Sequence, residues 1–179
     1  MTKTLRFLLV LIAALALMLA FRAVGLTILS IEGDGLAPCL LAGDRVLVNR
    51  WSYGLRVGGG EKGLFGYGRL WRQPVERGDL VVFEHPQTTE MMICRCKGLP
   101  GDTLDISGEE VVVPSLKACA DADYYWMETV NSENPVDSRL LGFISEENII
   151  GRVFMVAYSH TPSARPWQGW RTTRWFMPL

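Results

Sequence analysis

An excess of charge of either sign is what this 179-residue chain most plainly lacks. It has 18 basic residues against 19 acidic ones, a net charge of −1, and no basic run. That balance gives no electrostatic footprint for a nucleic acid or an acidic polymer. Histidine is scarce, with only His85 and His160, and the single Cys-x-Cys (Cys94, Cys96) does not reproduce the ligand spacing of a zinc site. No metal site is expected. The four cysteines (Cys39, Cys94, Cys96, Cys119) allow up to two disulfides in an exported domain. Cys94 and Cys96 share one face of a strand and are poorly placed to bridge each other. Gly58-Gly59-Gly60 opens a glycine- and aromatic-rich stretch (57–74), but no Lys-Ser or Lys-Thr pair follows and no dinucleotide spacing appears. It reads as an exposed hairpin, and no small-molecule cofactor is implied.

What is present begins at the N-terminus. Lys3 and Arg6 precede an unbroken apolar run from Phe7 to Phe21; Arg22 follows, and then a second mostly apolar stretch to Ile31. The first run alone is too short for a bilayer at about 1.5 Å of rise per residue. Taken through to Ile31, with Arg22 reaching toward the headgroups, it predicts a single transmembrane anchor over residues 1–31. A cleaved signal peptide is the alternative, because Ala23-Val24-Gly25 offers small residues at a cleavage-site spacing. Either reading puts residues 32–179 outside the cytoplasm, with Lys3 and Arg6 held inside.

Beyond the anchor the pattern is that of strands. Residues 45–49 alternate polar and apolar, and 79–83 is read the same way; 109–113 and 153–158 also suit short strands. Turn sequences separate them, among them Arg77-Gly78-Asp79 and Leu99-Pro100-Gly101-Asp102. With no long amphipathic helix, the prediction is an all-β domain, a barrel or folded sheet, behind one N-terminal transmembrane helix. The tail, 165–179, interleaves Trp167, Trp170, Trp175 and Phe176 with Arg165, Arg171 and Arg174. That mixture suits a membrane interface, and packing of the rings under the barrel is the competing reading.

Several short boxes occur in order. Ser30-Ile31-Glu32-Gly33-Asp34-Gly35-Leu36-Ala37-Pro38-Cys39-Leu40 is followed by Gly43-Asp44-Arg45-Val46-Leu47-Val48-Asn49 and Ser52-Tyr53-Gly54. Next come Arg77-Gly78-Asp79-Leu80-Val81-Val82-Phe83 and Ile93-Cys94-Arg95-Cys96-Lys97-Gly98-Leu99-Pro100-Gly101-Asp102. Asp137-Ser138-Arg139 leads into Gly142-Phe143 and Glu146-Glu147-Asn148-Ile149-Ile150-Gly151. In this order and from Ser30 to Ser159, the chain resembles the type I signal peptidases, the membrane-bound serine peptidases of family S26.

The resemblance implies a serine nucleophile, a neutral buried lysine as its base, and a serine hydroxyl with backbone N–H groups for the oxyanion. Carried onto this chain, the nucleophile position is Gly35, the base Cys94, the oxyanion serine Gly33 and the lysine-orienting serine Pro135. A Gly-Asp pair of the last box falls on Thr129-Val130. The catalytic set is therefore expected to be missing, with Cys94 as a small buried apolar residue in place of a desolvated amine. The alternative is a cysteine peptidase using Cys94. Frame positions are kept: Arg95, Asp137 and Arg139 match the family's structural ion pairing. Leu36, Leu40, Met92 and Ile93 match its groove-lining apolar positions, a site for an extended peptide. Asp34 is expected to cap a turn. The implied partners are a bacterial inner membrane and an extended signal-peptide-like segment or another envelope protein. A purely structural subunit, its groove filled by its own side chains, is the further alternative.

Overall fold

The computed structural model describes residues 3–57, 67–88, 90–106, 108–118, 120–131, 136–165 and 167–179, with backbone alone for residues 3 and 19–24. Helix α1 (Lys3–Val24) is 22 residues long. Gly25 ends it, and the chain turns at once into β1 (Leu26–Ser30), so the stretch expected to continue an anchor to Ile31 divides between helix and strand. The reason is alternation: Leu26, Ile28 and Ser30 face out while Thr27 and Leu29 are half-buried, a period-two pattern that a helix would scatter. Among the described residues, no helix is long and apolar enough to cross a membrane. The described side chains of α1 are nonetheless exposed, Phe7, Val10 and Leu17 the most.

The body of the chain is mostly β. β2 (Asp44–Asn49), β5 (Leu80–Glu84), β6 (Met91–Gly98), β9 (Tyr124–Glu128), β10 (Ile144–Ser145) and β11 (Ile149–Ser159) join β1 in one curled antiparallel sheet. Its order is β1-β2-β11-β5-β6-β9-β10, and β12 (Met177–Pro178) pairs with β11. Two hairpins lie off this path: β3 (Leu55–Val57) with β4 (Gly68–Leu70), and β7 (Thr103–Ile106) with β8 (Glu109–Val112). Short helix α2 (Ser138–Leu141) precedes β10.

Curvature comes from β11, which serves both halves of the sheet and carries register shifts at Ile149/Gly151, Val153/Met155 and Val156/Tyr158. Each shift adds twist where the strand changes partner. Gly151 sits at the first of them because a Cβ there would run into the Asn49 carbonyl.

Each face of the sheet has its own core. Leu36, Leu40, Val46, Val48, Leu80, Val82, Val153 and Val156 pack on one side. Tyr53, Val81, Phe83, Cys94, Cys96, Tyr125, Met127 and Ile149 pack on the other. β5 feeds both: Leu80, Val81, Val82 and Phe83 are all buried, so this segment is not a half-exposed alternating strand as read from the sequence. A strand covered on both faces carries a continuous apolar run.

The tail is neither free nor tucked beneath the sheet. Asp44, fully buried, binds Arg174 at 2.7 Å and Ser159 Oγ at 2.5 Å, and accepts the Leu41 N–H at 3.0 Å. Arg174 also donates to the Cys39 carbonyl, and Arg171 to the Ala42 carbonyl. The arginines pin the tail while Trp167, Trp170, Trp175 and Phe176 stay exposed. The Asp44 carboxyl is raised by burial, but the bonds from Arg174, Ser159 and Leu41 outweigh that and hold it below its ordinary value.

Candidate functional site

The β1–β2 connection carries the nucleophile position. The Asn131 N–H donates to the Gly35 carbonyl at 2.9 Å, which lays this loop against the chain leaving β9. A Cβ at Gly35 would stand 3.4 Å from Thr129 Cγ2, an ordinary contact. Gly33 differs: its φ of +86° is a left-handed conformation that strains any residue bearing a Cβ, the family's serine included. Asp34 caps no turn with its side chain among the described residues. Its backbone carbonyl accepts the Ala37 N–H instead, at 3.0 Å.

Cys94 lies on β6 with 0% of its surface exposed, and its Sγ is 3.9 Å from the Val136 carbonyl. Burial, then the nearby Asp137 charge, push its thiol up to about 12, only partly offset by Arg139. A thiol so placed is held in its protonated form at neutral pH. Cys96, buried on the same side, is likewise pushed up to about 12. Cys39, Cys94 and Cys96 are all free thiols, and Cys119 lies outside the described residues.

Asp137 organises what remains. It caps α2 by accepting the Arg139 N–H at 2.9 Å, and pairs with Arg139 Nη2 at 2.6 Å. It also accepts the Thr129 N–H at 2.9 Å and lies 2.9 Å from the Thr129 hydroxyl. Burial raises its carboxyl, yet these bonds bring it down to about 2, so it is a permanent anion and a poor proton acceptor. The structure thus gathers Gly35, Thr129, Asp137, Arg139 and Cys94 into one neighbourhood. Thr129 is the residue whose part was missed, having been noted only as a replacement of the family's Gly-Asp pair. Its methyl faces Gly35 while its hydroxyl serves Asp137 and the Asn131 carbonyl. Nothing in the sequence marks a lone threonine in that way. None of the described hydrogen bonds to Gly35, Cys94, Thr129 or Asp137 comes from a lysine or histidine.

Two expectations need correcting. Arg95 does not join the Asp137–Arg139 pair: Cys94 and Cys96 point inward along β6, so Arg95 points to solvent. On that outer face Lys97 takes both oxygens of Glu128, at 2.9 and 3.0 Å. The expected groove does not form one surface either. Leu40 is 0% exposed and Leu36 5%, both inside the first core. Met92 packs against the second core and Ile93 against the first, as neighbours on a strand must. Pro135 and residues 58–66 of the glycine-rich stretch lie outside the described residues. A cleft of about 680 Å³ opens next to Gly33 instead, and none of the four groove residues lines it. Among the described residues, no group of three or more His, Cys, Asp or Glu is placed to hold a metal ion.

Comparison with known proteins agrees with the box order. The family profile described as "Signal peptidase, peptidase S26" matches residues 4–120, more than half the chain. A signal peptidase I of Leptolyngbya laminosa is 27% identical over 146 residues, covering 68% of this chain and 64% of its own length. A signal peptidase I of Pseudomonas fluorescens is 29% identical over 182 residues, covering 70% of this chain and 62% of its own. The chain spans less than two thirds of the length of these relatives.

Proposed function

This chain belongs to the signal peptidase family, peptidase S26, and on that premise we propose a signal peptidase homologue that binds exported segments without cleaving them. The observation that carries this is Cys94. The position where the family keeps its base holds a fully buried thiol pushed up to about 12, beside a Gly35 that has no side chain to activate. Lysine–serine chemistry needs an amine that can take a proton and a hydroxyl that can give one. Neither group is there. Cysteine chemistry is disfavoured on the same grounds, because the thiolate is the nucleophile, and the lowering effect of Arg139 does not outweigh burial and Asp137 at Cys94.

Helix α1 supports a single-pass anchor in a bacterial inner membrane, with the β domain on the outer side. Its described apolar side chains have no protein packed over them, and Lys3 and Arg6 precede them. Burial of Leu36 and Leu40 favours a second reading, a structural subunit of an envelope complex whose family groove is part of its own core.

The test is cleavage of a preprotein by the purified full chain in detergent, beside an authentic signal peptidase and a Gly35→Ser, Cys94→Lys variant. The expected result is no product from the native chain. Cross-linking of a synthetic signal peptide to that chain separates the two readings: capture supports the binding role, and its absence supports the structural one. Turnover by the native chain overturns both.

A further inference from the structure

Among the described residues, Asp34 is the aspartate whose side chain nothing holds, and it is the aspartate that precedes a glycine. We infer that Asp34-Gly35 is a site of self-modification: the Gly35 backbone nitrogen closes on the Asp34 side chain, and the dipeptide passes through a succinimide to isoaspartate.

The aspartates of this chain divide sharply. A turn aspartate is ordinarily occupied by a nearby backbone N–H, and a buried one by a cation or hydroxyl. Asp102 takes the Leu99 N–H at 2.6 Å, Asp105 the Gly108 N–H at 2.8 Å and Asp123 the Leu116 N–H at 2.9 Å. Asp44, Asp79, Asp121 and Asp137 are bonded in the same manner or by side chains. Asp34 is exposed, and its carboxylate makes no hydrogen bond or ion pair among the described residues. It opens a turn through its backbone alone, since its carbonyl accepts the Ala37 N–H at 3.0 Å. The side chain is therefore free to swing over the next peptide unit.

The second reacting group is the Gly35 nitrogen. Asn131 holds the Gly35 carbonyl at 2.9 Å, but no described acceptor takes the Gly35 N–H. Glycine puts no Cβ beside that nitrogen, so nothing screens it from the carboxyl one residue back. Both groups sit in one dipeptide, so the attack is intramolecular and the fold need only leave it unobstructed. Elsewhere one condition or the other fails. Asp137, for instance, is followed by Ser138 and has its oxygens taken by Arg139 and Thr129.

The chemistry balances without a partner. The Gly35 nitrogen forms a bond to Asp34 Cγ, and the carboxyl hydroxyl leaves with the amide hydrogen as water. Solvent water then opens the ring. Attack at Cγ restores aspartate, whereas attack at the main-chain carbonyl gives isoaspartate. In isoaspartate the chain runs through Cβ and Cγ, and the former main-chain carbonyl has become a free carboxylate. Mass and net charge return to their starting values, but the backbone is one methylene longer just ahead of the nucleophile position. The acceptor of the Ala37 N–H leaves the main chain, so the turn facing Thr129 is remade while β1 and β2 keep their pairing.

The experiment is incubation of the folded full chain in maltoside micelles at neutral pH, in water enriched in heavy oxygen. Peptide mapping with electron-transfer fragmentation then separates isoaspartate from aspartate. Isoaspartate is expected at residue 34 and at no other aspartate, each ring opening adding two mass units. Gly35→Ala, whose methyl meets Thr129 at an ordinary distance, should slow it at least tenfold. Asp34→Asn, releasing ammonia in place of water, should react at least tenfold faster. Asp34→Glu needs a six-membered ring and should fall below detection. Isoaspartate that forms in urea but not in the folded chain, or in neither, overturns the proposal. So does equal accumulation at Asp102 or Asp105, product without the heavy label, or a rate unchanged in Gly35→Ala.

Discussion

Asp137 and Cys94 lie close enough for the charge of one to raise the other, yet they treat polarity in opposite ways. Asp137 is a buried carboxylate with its oxygens taken up by Arg139 and Thr129, and its carboxyl is held at about 2. Cys94 is a buried thiol whose contact with the Val136 carbonyl is long, at 3.9 Å, and it stays neutral. The first shows a charge kept because its partners complete it; the second shows a polar group kept neutral because burial leaves it without such partners. Burial alone therefore does not decide whether a group stays charged in this fold. The Asp137 network closes α2 onto the β9 exit whether or not a nucleophile stands opposite Thr129.

The largest effect should come from breaking the completed charge. Asp137→Ala leaves Arg139 without its partner and Thr129 N–H unsatisfied, and should cost about 3–5 kcal/mol in denaturant unfolding. The pH dependence has a definite sign. A carboxyl depressed from 3.8 to about 2 adds stability that is complete above 3.8 and is lost as pH falls through about 2. An Asp137→Asn variant should lack that acid limb in melts across this window.

Asp44→Ala should come next, at about 3 kcal/mol, since Arg171 and Arg174 are partly exposed and can hydrate once released. Limited proteolysis should then cut within residues 160–179 well before the sheet opens. Gly33 and Gly35 should respond unequally. Gly33→Ala forces a Cβ into a left-handed φ and should cost about 1–2 kcal/mol. Gly35→Ala meets Thr129 at an ordinary 3.4 Å and should change stability by less than about 0.5 kcal/mol. The smallest effect concerns reactivity: a charged thiol reagent should label half-exposed Cys39 in the native chain and reach Cys94 and Cys96 only after unfolding. Rapid native labelling of Cys94 would erase its contrast with Asp137.

Much of this was legible in advance. Strands β2, β8 and β11 overlap segments marked by alternation or β-branched runs between turn sequences. Box order alone was enough to identify the family. What was not legible depended on distant partners. β1 reads as more apolar anchor because Leu26, Ile28 and Ile31 are as suited to a helix as to a strand until β2 pairs with them. The role of the tail's arginines is not legible because Asp44, the buried carboxylate that takes them, is 130 residues away from Arg174. A hairpin is legible in the stretch 57–74, but not that Arg69, donating to the Glu146 and Ile149 carbonyls, fastens β4 to the sheet.

By itself the sequence determined the family and the β class, since both are a matter of which residue types occur in which order. Tertiary structure decided where those residues face. Burial sent Leu36 and Leu40 into a core rather than a groove, and pairing across β1, β2 and β11 set Ser30, Arg45 and Tyr158 on one face. Order along a chain is local information, whereas desolvation and cross-strand contact arise only when distant segments exclude water from each other.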